Sequence, residues 1–299
     1  MKKILITGAD GFTGRYLAAR LNTAGYEVHG LVHKQAAGPV AGVHTLHVAD
    51  LSDAATLAKV VRDIQPNKVA HLAAIAFVAH GDVEAIYRTN LVGTRHLLET
   101  LVLSKAPLEA VLLASSANVY GNSVGGMLDE FTPPAPANDY AVSKLAMEYV
   151  ARLYADRLPV VIARPFNYTG VGQAESFLIP KIVNHVRRRA PLIELGNLDV
   201  ARDFSDVRRV VQLYQRLLEA PAAICQTFNV CSGKAWTLND VLQMVREISG
   251  HDFEVRVNPA FVRQNEVKTL VGSRAKLDAA VGLAPEIALR DTLRWMLES

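Results

Sequence analysis

The sequence predicts an α/β protein built on a doubly wound parallel sheet, with a smaller lobe towards its C-terminal end. Three observations predict it. Short apolar runs of strand length recur with helix-length stretches between them, the alternation that builds parallel sheets. A glycine-rich turn, Thr7-Gly8-Ala9-Asp10-Gly11-Phe12-Thr13-Gly14, follows the first run at once and opens a helix. From Pro165 onward the rhythm gives way to irregular segments. The expected boundary therefore falls between residues 1–164, a dinucleotide-binding domain to which later segments can return, and 165–299, mainly a substrate lobe.

Taken in order, residues 4–6 form a strand fit for burial on both faces, and the helix behind the turn reaches about Ala24. The glycines Gly8, Gly11 and Gly14 are spaced GxxGxxG. Such spacing permits a tight turn and close backbone approach, so that the helix N-terminus, with Phe12 and Thr13, faces a pyrophosphate in a Rossmann-type domain. The second strand, 27–32, leads into His33-Lys34, where an NAD-selecting domain carries an acid for the ribose 2′-hydroxyl. No acid stands there. His33 and Lys34 suit a 2′-phosphate, so NADP(H) is the preferred cofactor and NAD(H) a possible one. Both residues would equally serve as solvated loop positions. A strand over 43–48 closes on Asp50-Leu51, and Ser52 can cap the helix of 53–64. Asp50 is a candidate contact for the adenine amino group, or else a loop cap. Residues 68–72 form the fourth strand, with Leu72, Ala73 and Ala74 behind it small enough for a cofactor to lie against the backbone. One long helix is expected over 83–104, where Asn90 would only hydrogen-bond nearby backbone. Residues 109–114 form the fifth strand, and Ser115 and Ser116 stand at its carboxyl end, where open α/β sheets bind ligands. A proline-rich loop, 132–136, precedes the helix carrying Tyr140 and Lys144, and 159–164 supply a sixth strand. Beyond it, helices are expected over 177–189, 206–219, 238–249 and 287–297.

Tyr140-Ala-Val-Ser-Lys144 places a phenol and an ammonium one helical turn apart on one face. The ammonium favours phenolate and, with a positively charged nicotinamide, would draw the tyrosine's pKa from about 10 towards the working range. Tyrosine and lysine at this spacing also arise on solvated helix faces, so the pair alone decides nothing. Composition excludes several other classes. The 32 basic and 29 acidic residues leave a net charge of +3, too mild to predict a nucleic-acid or membrane partner. Arg187-Arg188-Arg189 closes a helix, where cations complement the dipole. Cys225 and Cys231 have no metal-ligand spacing, which suits a reducing compartment and predicts no metal. The opening Met-Lys-Lys-Ile-Leu-Ile-Thr-Gly has too short an apolar run for a signal peptide, and no run has membrane-spanning length. A cytoplasmic location is expected.

With the turn at 7–14, Asp50-Leu51, Leu72-Ala73-Ala74, Ser-Ser-Ala-Asn-Val-Tyr-Gly at 115–121, Tyr140-xxx-Lys144 and Arg164-Pro165-Phe166-Asn167, the chain resembles the extended short-chain dehydrogenase/reductase family over most of its length. The resemblance implies that Ser116, Tyr140 and Lys144 are the catalytic group, that the smaller lobe binds a nucleoside-diphosphate sugar, and that two helices, near 83–104 and 140–156, pair in a homodimer. The segment 195–204, Leu-Gly-Asn-Leu-Asp-Val-Ala-Arg-Asp-Phe, and Arg263-Gln264-Asn265-Glu266-Val267 look like the branch that acts on GDP-mannose derivatives, which more often has proline where Gln264 stands. On that resemblance Arg202 and Arg263 would meet diphosphate oxygens, Asn167 and Lys181 sugar or nucleotide, and Glu266 a ribose hydroxyl.

The residues after Ser116 discriminate between reactions. Related dehydratases carry carboxylates there to remove water, but Ala117 and Asn118 cannot shuttle a proton at neutral pH. Epimerase-reductases of the GDP-fucose kind use a cysteine in this loop, and both cysteines lie far downstream. A bare hydride and proton transfer centre is left. Such a centre fits reduction of a 4-keto sugar, and the resemblance to the GDP-mannose branch implies that the reaction is reduction of the C4 ketone of GDP-4-keto-6-deoxy-D-mannose to GDP-D-rhamnose. The alternatives are a nucleotide-sugar 4-epimerase that retains NAD, and a non-catalytic NADP-binding sensor or scaffold.

Overall fold

The computed structural model describes residues 1–36, 38–76, 82–121, 126–262 and 268–299. Its first part runs β1 (Lys3–Thr7), α1 (Phe12–Thr23), β2 (Glu27–Val32), β3 (Thr45–Val48), α2 (Ala54–Ile64), β4 (Lys68–His71), α3 (Val83–Tyr87), α4 (Thr94–Ser104), β5 (Ala110–Ala114), β6 (Met127–Leu128), α5 (Asp139–Arg152) and β7 (Val160–Pro165). The second runs β8 (Asn167–Thr169), α6 (Leu178–Arg187), β9 (Leu192–Leu195), β10 (Ala201–Asp206), α7 (Val207–Glu219), β11 (Gln226–Val230), β12 (Ala235–Thr237), α8 (Leu238–Ser249), β13 (Glu254–Val257), β14 (Thr269–Gly272), α9 (Ala275–Val281) and α10 (Leu289–Glu298).

Seven strands form one parallel sheet in the order β11-β7-β5-β4-β1-β2-β3. The strand period of two sends neighbours to opposite cores. Ile4 and Ile6 join the layer under α1 and α7, with Leu17, Leu21, Val210 and Tyr214. Leu5 joins the layer under α2, α4 and α5, with Leu57, Leu97, Leu101 and Met147. Burial on both faces explains why these strands are continuous apolar runs. Strand order reverses direction between β1 and β4, which opens a crevice at their carboxyl ends. A second sheet, β12-β10-β14-β6 with β8 beside β10, and the pair β13-β9 form the smaller lobe. Its core gathers Ile182, Ile193, Val241 and Leu293.

One expectation needs correcting. The helix expected over 83–104 is interrupted by a π-helical turn, Arg88–Gly93, because the Asn90 side chain leaves the helix to bond the loop behind β4. A seventh strand, β11, comes from the stretch read mainly as lobe, and α7 likewise packs on the large sheet. Gln226-Thr-Phe-Asn-Val carries too few apolar residues to stand out, since its buried Asn229 accepts from the Tyr120 hydroxyl and donates to the Leu128 carbonyl. No described helix is long and apolar enough to cross a membrane.

Candidate active site

The turn between β1 and α1 is shaped by contacts that only glycine permits. Gly8 has φ +68°, and a Cβ there would meet the Ala73 nitrogen at 2.9 Å. A Cβ on Gly14 would stand 2.1 Å from the Gly8 carbonyl oxygen. No side chain caps α1 and no acid occupies its first turn, so its N-terminus presents N–H groups and positive dipole to the crevice. These features fit a dinucleotide pyrophosphate held over Gly11, Phe12, Thr13 and Gly14. Leu72, Ala73 and Ala74 line the opposite wall half-buried. They are fixed by Thr7, whose hydroxyl accepts from the Leu72 and Ala73 N–H groups at 3.2 and 3.1 Å. Thr7 has its proton left for His71 Nδ1 at 2.7 Å, so His71 Nε2 carries hydrogen towards Thr94 at 2.9 Å. Burial, then the charge of Lys144, push His71 down to about 3 and keep it neutral.

His33 and Lys34 follow β2 at the surface. His33 Nδ1 lies 3.5 Å from an Asp50 carboxylate oxygen. The other Asp50 oxygen accepts the Ser52 N–H at 2.8 Å, which holds this carboxyl below its usual range. Leu51 beside it is buried.

The reacting group sits where β5 meets α5. Asn138 caps α5 by accepting the Ala141 N–H at 2.9 Å, so Tyr140 falls in the first turn and Lys144 one turn later. Ser116 Oγ accepts the Asn118 N–H at 3.1 Å, which starts the tight turn Ala117–Tyr120 and leaves the serine proton for the Tyr140 phenol. Burial pushes Tyr140 up to about 12, and the Ser116 hydrogen bond opposes it. Lys144 is lowered to about 8 by burial, with Glu148 opposing, and its ammonium donates to the Ala114 carbonyl at 2.7 Å. The tyrosine depression expected from Lys144 is therefore not supplied by the chain's own groups. Tyr140 stands as a neutral phenol, the form that gives a proton away.

Other expected contacts divide. Asn167 Nδ2 is buried without a partner among the described residues. Ser115 points elsewhere: its hydroxyl donates to Glu148 at 2.6 Å, and Glu148 receives a two-point grip from Arg164 at 2.8 and 2.7 Å. The substrate contact expected of Ser115 is replaced by this buried network. Lys181 donates to the Glu194 carbonyl at 3.0 Å and lies over the Phe261 ring, while Arg202 reaches the Ala201 and Lys268 carbonyls. Arg263 and Glu266 lie outside the described residues.

Asn90 does more than the sequence reading expected, and Tyr168 escaped it. Asn90 accepts the Ile75 N–H at 2.9 Å and donates to Ser143 at 3.0 Å, tying the cofactor wall to α5. Tyr168 stacks on Phe12, with centroids 6.1 Å apart, and its hydroxyl meets Thr13 at 2.8 Å. That bond joins the cofactor turn to the strand bearing Asn167. The side-by-side position of Tyr168 and Asn167 was the one available signal.

Comparisons agree with this geometry. The chain matches the family described as GDP-mannose 4,6 dehydratase over residues 5–296. It is 32% identical over 94% of its length to GDP-6-deoxy-D-talose 4-dehydrogenase of Aggregatibacter actinomycetemcomitans, covering 91% of that protein. It is 33% identical over 99% of its length to GDP-6-deoxy-D-mannose reductase of Pseudomonas aeruginosa, covering 96%. A crystal structure of a candidate epimerase from Burkholderia cenocepacia J2315 superposes with a TM-score of 0.94 at 53% identity, covering 99% of this chain and 97% of that one. The structure of RMD from Pseudomonas aeruginosa complexed with NADPH superposes with a TM-score of 0.86 at 31% identity, covering 100% and 98%. With its glycine turn, its Ser116, Tyr140 and Lys144 and its two-lobed crevice, the chain belongs to the GDP-mannose 4,6 dehydratase family of extended short-chain dehydrogenases and reductases.

Proposed function

We propose that the protein reduces the C4 ketone of GDP-4-keto-6-deoxy-D-mannose to GDP-D-rhamnose, with NADPH preferred and NADH accepted. The observation that carries this reading is a complete Ser116, Tyr140 and Lys144 group beside Ala117 and Asn118, positions that can neither donate nor remove a proton. Membership in a family described by a dehydratase leaves this point untouched, because dehydration needs an acid and a base there.

A bound reduced nicotinamide supplies the hydride. Tyr140 protonates the C4 oxygen, Ser116 donates a hydrogen bond to it as negative charge grows, and Lys144 holds the cofactor ribose and steadies the phenolate left behind. Gly8, Gly11, Phe12, Thr13 and Gly14 hold the pyrophosphate, His33 and Lys34 the 2′-phosphate, and Asp50 with Leu51 the adenine. Asn167, Lys181, Arg202, Arg263 and Glu266 hold the GDP-sugar. The Pseudomonas aeruginosa reductase supports the substrate class, and RMD from Pseudomonas aeruginosa complexed with NADPH supports the cofactor. The talose dehydrogenase supports reduction at C4 with the opposite product configuration as the competing outcome.

We further propose a cytoplasmic homodimer through α4 and α5, whose outer faces expose Leu103, Val142 and Tyr149, with Leu153 exposed just beyond α5. The test of function is loss of NADPH absorbance with enzymatically prepared GDP-4-keto-6-deoxy-mannose, run beside the dTDP-4-keto-6-deoxy-glucose analogue. Oxidation with the GDP sugar alone is expected, and NMR of the product then distinguishes rhamnose from talose. A 4-epimerase is the second reading, favoured by the Burkholderia cenocepacia likeness. It requires stoichiometric NAD carried through purification and no net NADPH oxidation. Absence of any turnover leaves the non-catalytic sensor or scaffold.

A further inference from the structure

Glu148 stands on α5 one turn beyond Lys144 and is wholly buried. Donors crowd its carboxylate. Arg164 on β7 reaches Oε1 from Nε at 2.8 Å and Oε2 from Nη2 at 2.7 Å, and the Ser115 hydroxyl donates to Oε1 at 2.6 Å. Stability alone does not account for such a pair, since apolar side chains of similar volume frequently do as well in its place. What sets this pair apart is its closeness to the reacting residues.

Two routes lead from Glu148 to them. The first runs through the chain. Lys144 donates to the Ala114 carbonyl at 2.7 Å, and the next residue, Ser115, is fixed twice, by its N–H to the Ala163 carbonyl at 2.7 Å and by its hydroxyl to Glu148. Ser116 follows in extended backbone, φ −160° and ψ 145°, where consecutive side chains point to opposite sides. A Ser115 turned inward to Glu148 therefore sends Ser116 outward to the Tyr140 phenol. The second route is charge. A spacing of four on one helix face brings the Glu148 carboxylate beside the Lys144 ammonium. Burial lowers Lys144 to about 8, and Glu148 opposes that fall. Other groups near Lys144 leave this task to Glu148. Burial keeps His71 on β4 and Tyr140 on α5 neutral, while Arg164 and Arg152 stand 2.7 and 3.8 Å from the Glu148 carboxylate. Asp139 at the start of α5 accepts from Tyr87, and α4 turns Arg95 and Glu99 to solvent and His96 to the Leu51 carbonyl.

Given the reductase reading of Ser116 and Lys144, we propose that Glu148 is a positioning residue of ketone reduction: its carboxylate holds Lys144 as an ammonium for the cofactor ribose and, through Ser115, aims the Ser116 hydroxyl at the ketone oxygen. Without that carboxylate, burial takes the proton from Lys144 at neutral pH. Arg164 serves by compensating the buried carboxylate.

The test titrates Lys144 directly, in the full chain with isotopically labelled lysine side chains, its NMR signal being the one lost in Lys144→Met. Glu148→Gln should lower the midpoint by about one pH unit or more. If that variant does not fold, Glu148→Gln with Arg164→Gln keeps a neutral hydrogen-bonded pair and should give the same shift. In NADPH oxidation with the GDP-keto sugar, loss of the ammonium ends activity on the alkaline side, so that limb should move to lower pH with the midpoint. Purely structural damage lowers turnover at every pH without moving the limb, and that result overturns the proposal. Ser115→Ala should leave the midpoint in place and cut kcat about tenfold, with KM for NADPH changed by only a few-fold. An unmoved midpoint in the Glu148 variants, or an unchanged kcat in Ser115→Ala, also overturns it. A midpoint that moves in a chain oxidising no NADPH upholds the hold of Glu148 on Lys144 and overturns the reductase reading instead.

Discussion

Tyr140 must be neutral to give a proton and anionic once it has given it, and its surroundings separate the two requirements. Burial secures the neutral form at about 12, while the Ser116 hydroxyl stands ready for the anion. Tyr140→Phe keeps the packing and removes the proton, so kcat should fall by about 10²–10⁴ with NADPH affinity changed by only a few-fold. Turnover close to wild type in stopped-flow measurements would remove the mechanism. His71 makes a separate prediction about pH. Its folded value of about 3 lies below the unfolded 6.5, so the unfolded chain binds the extra proton between them. Stability is full above pH 6.5 and drains as pH falls, by about 2 kcal/mol at pH 5. Urea titrations at pH 7 and 5 should show this loss, and His71→Gln should flatten it. At this scale the spacing of Tyr140 and Lys144 made the centre legible. Ser115 misled, because its hydroxyl answers to Glu148, 33 residues away, a pairing that no local pattern encodes.

The elements that hold these residues were legible wherever one periodicity ruled. Strands β1, β4 and β5 are apolar throughout because two helical layers cover them. The break at Arg88–Gly93 was hidden, since its cause is a loop fifteen residues earlier that borrows both polar ends of Asn90. Strand β11 was hidden for the opposite reason: its polar residue is buried and satisfied by other parts of the chain. Helix α5 is anchored by the fully buried Glu148, gripped by Arg164 and Ser115. Glu148→Ala leaves Arg164 buried without its anion, which costs about 3–5 kcal/mol. For 299 residues that corresponds to a fall of roughly 5–8 °C in melting temperature. A calorimetric shift under one degree would show that water already screens the pair.

On the scale of the whole molecule, a groove of about 240 Å³ is lined by Arg95, Val150, Leu153, Tyr154 and Arg157, beside the exposed apolar residues proposed to pair two copies. Leu153→Glu should convert the dimer to monomer in sedimentation velocity, and an unchanged coefficient would move the interface elsewhere. The strand β11 carries a further consequence. After β7 the chain leaves the large sheet for β8, β9 and β10, returns for α7 and β11, then departs again. A fragment ending at 164 would lack the strand that pairs with β7 and the helix that covers β5 and β7, leaving an unpaired edge open to aggregation. The two lobes are stitched rather than hinged on a single linker. One sharp heat-absorption peak is therefore expected, and limited proteolysis should release no soluble fragment of residues 1–164; two separate peaks would mean that the stitching does not couple the halves.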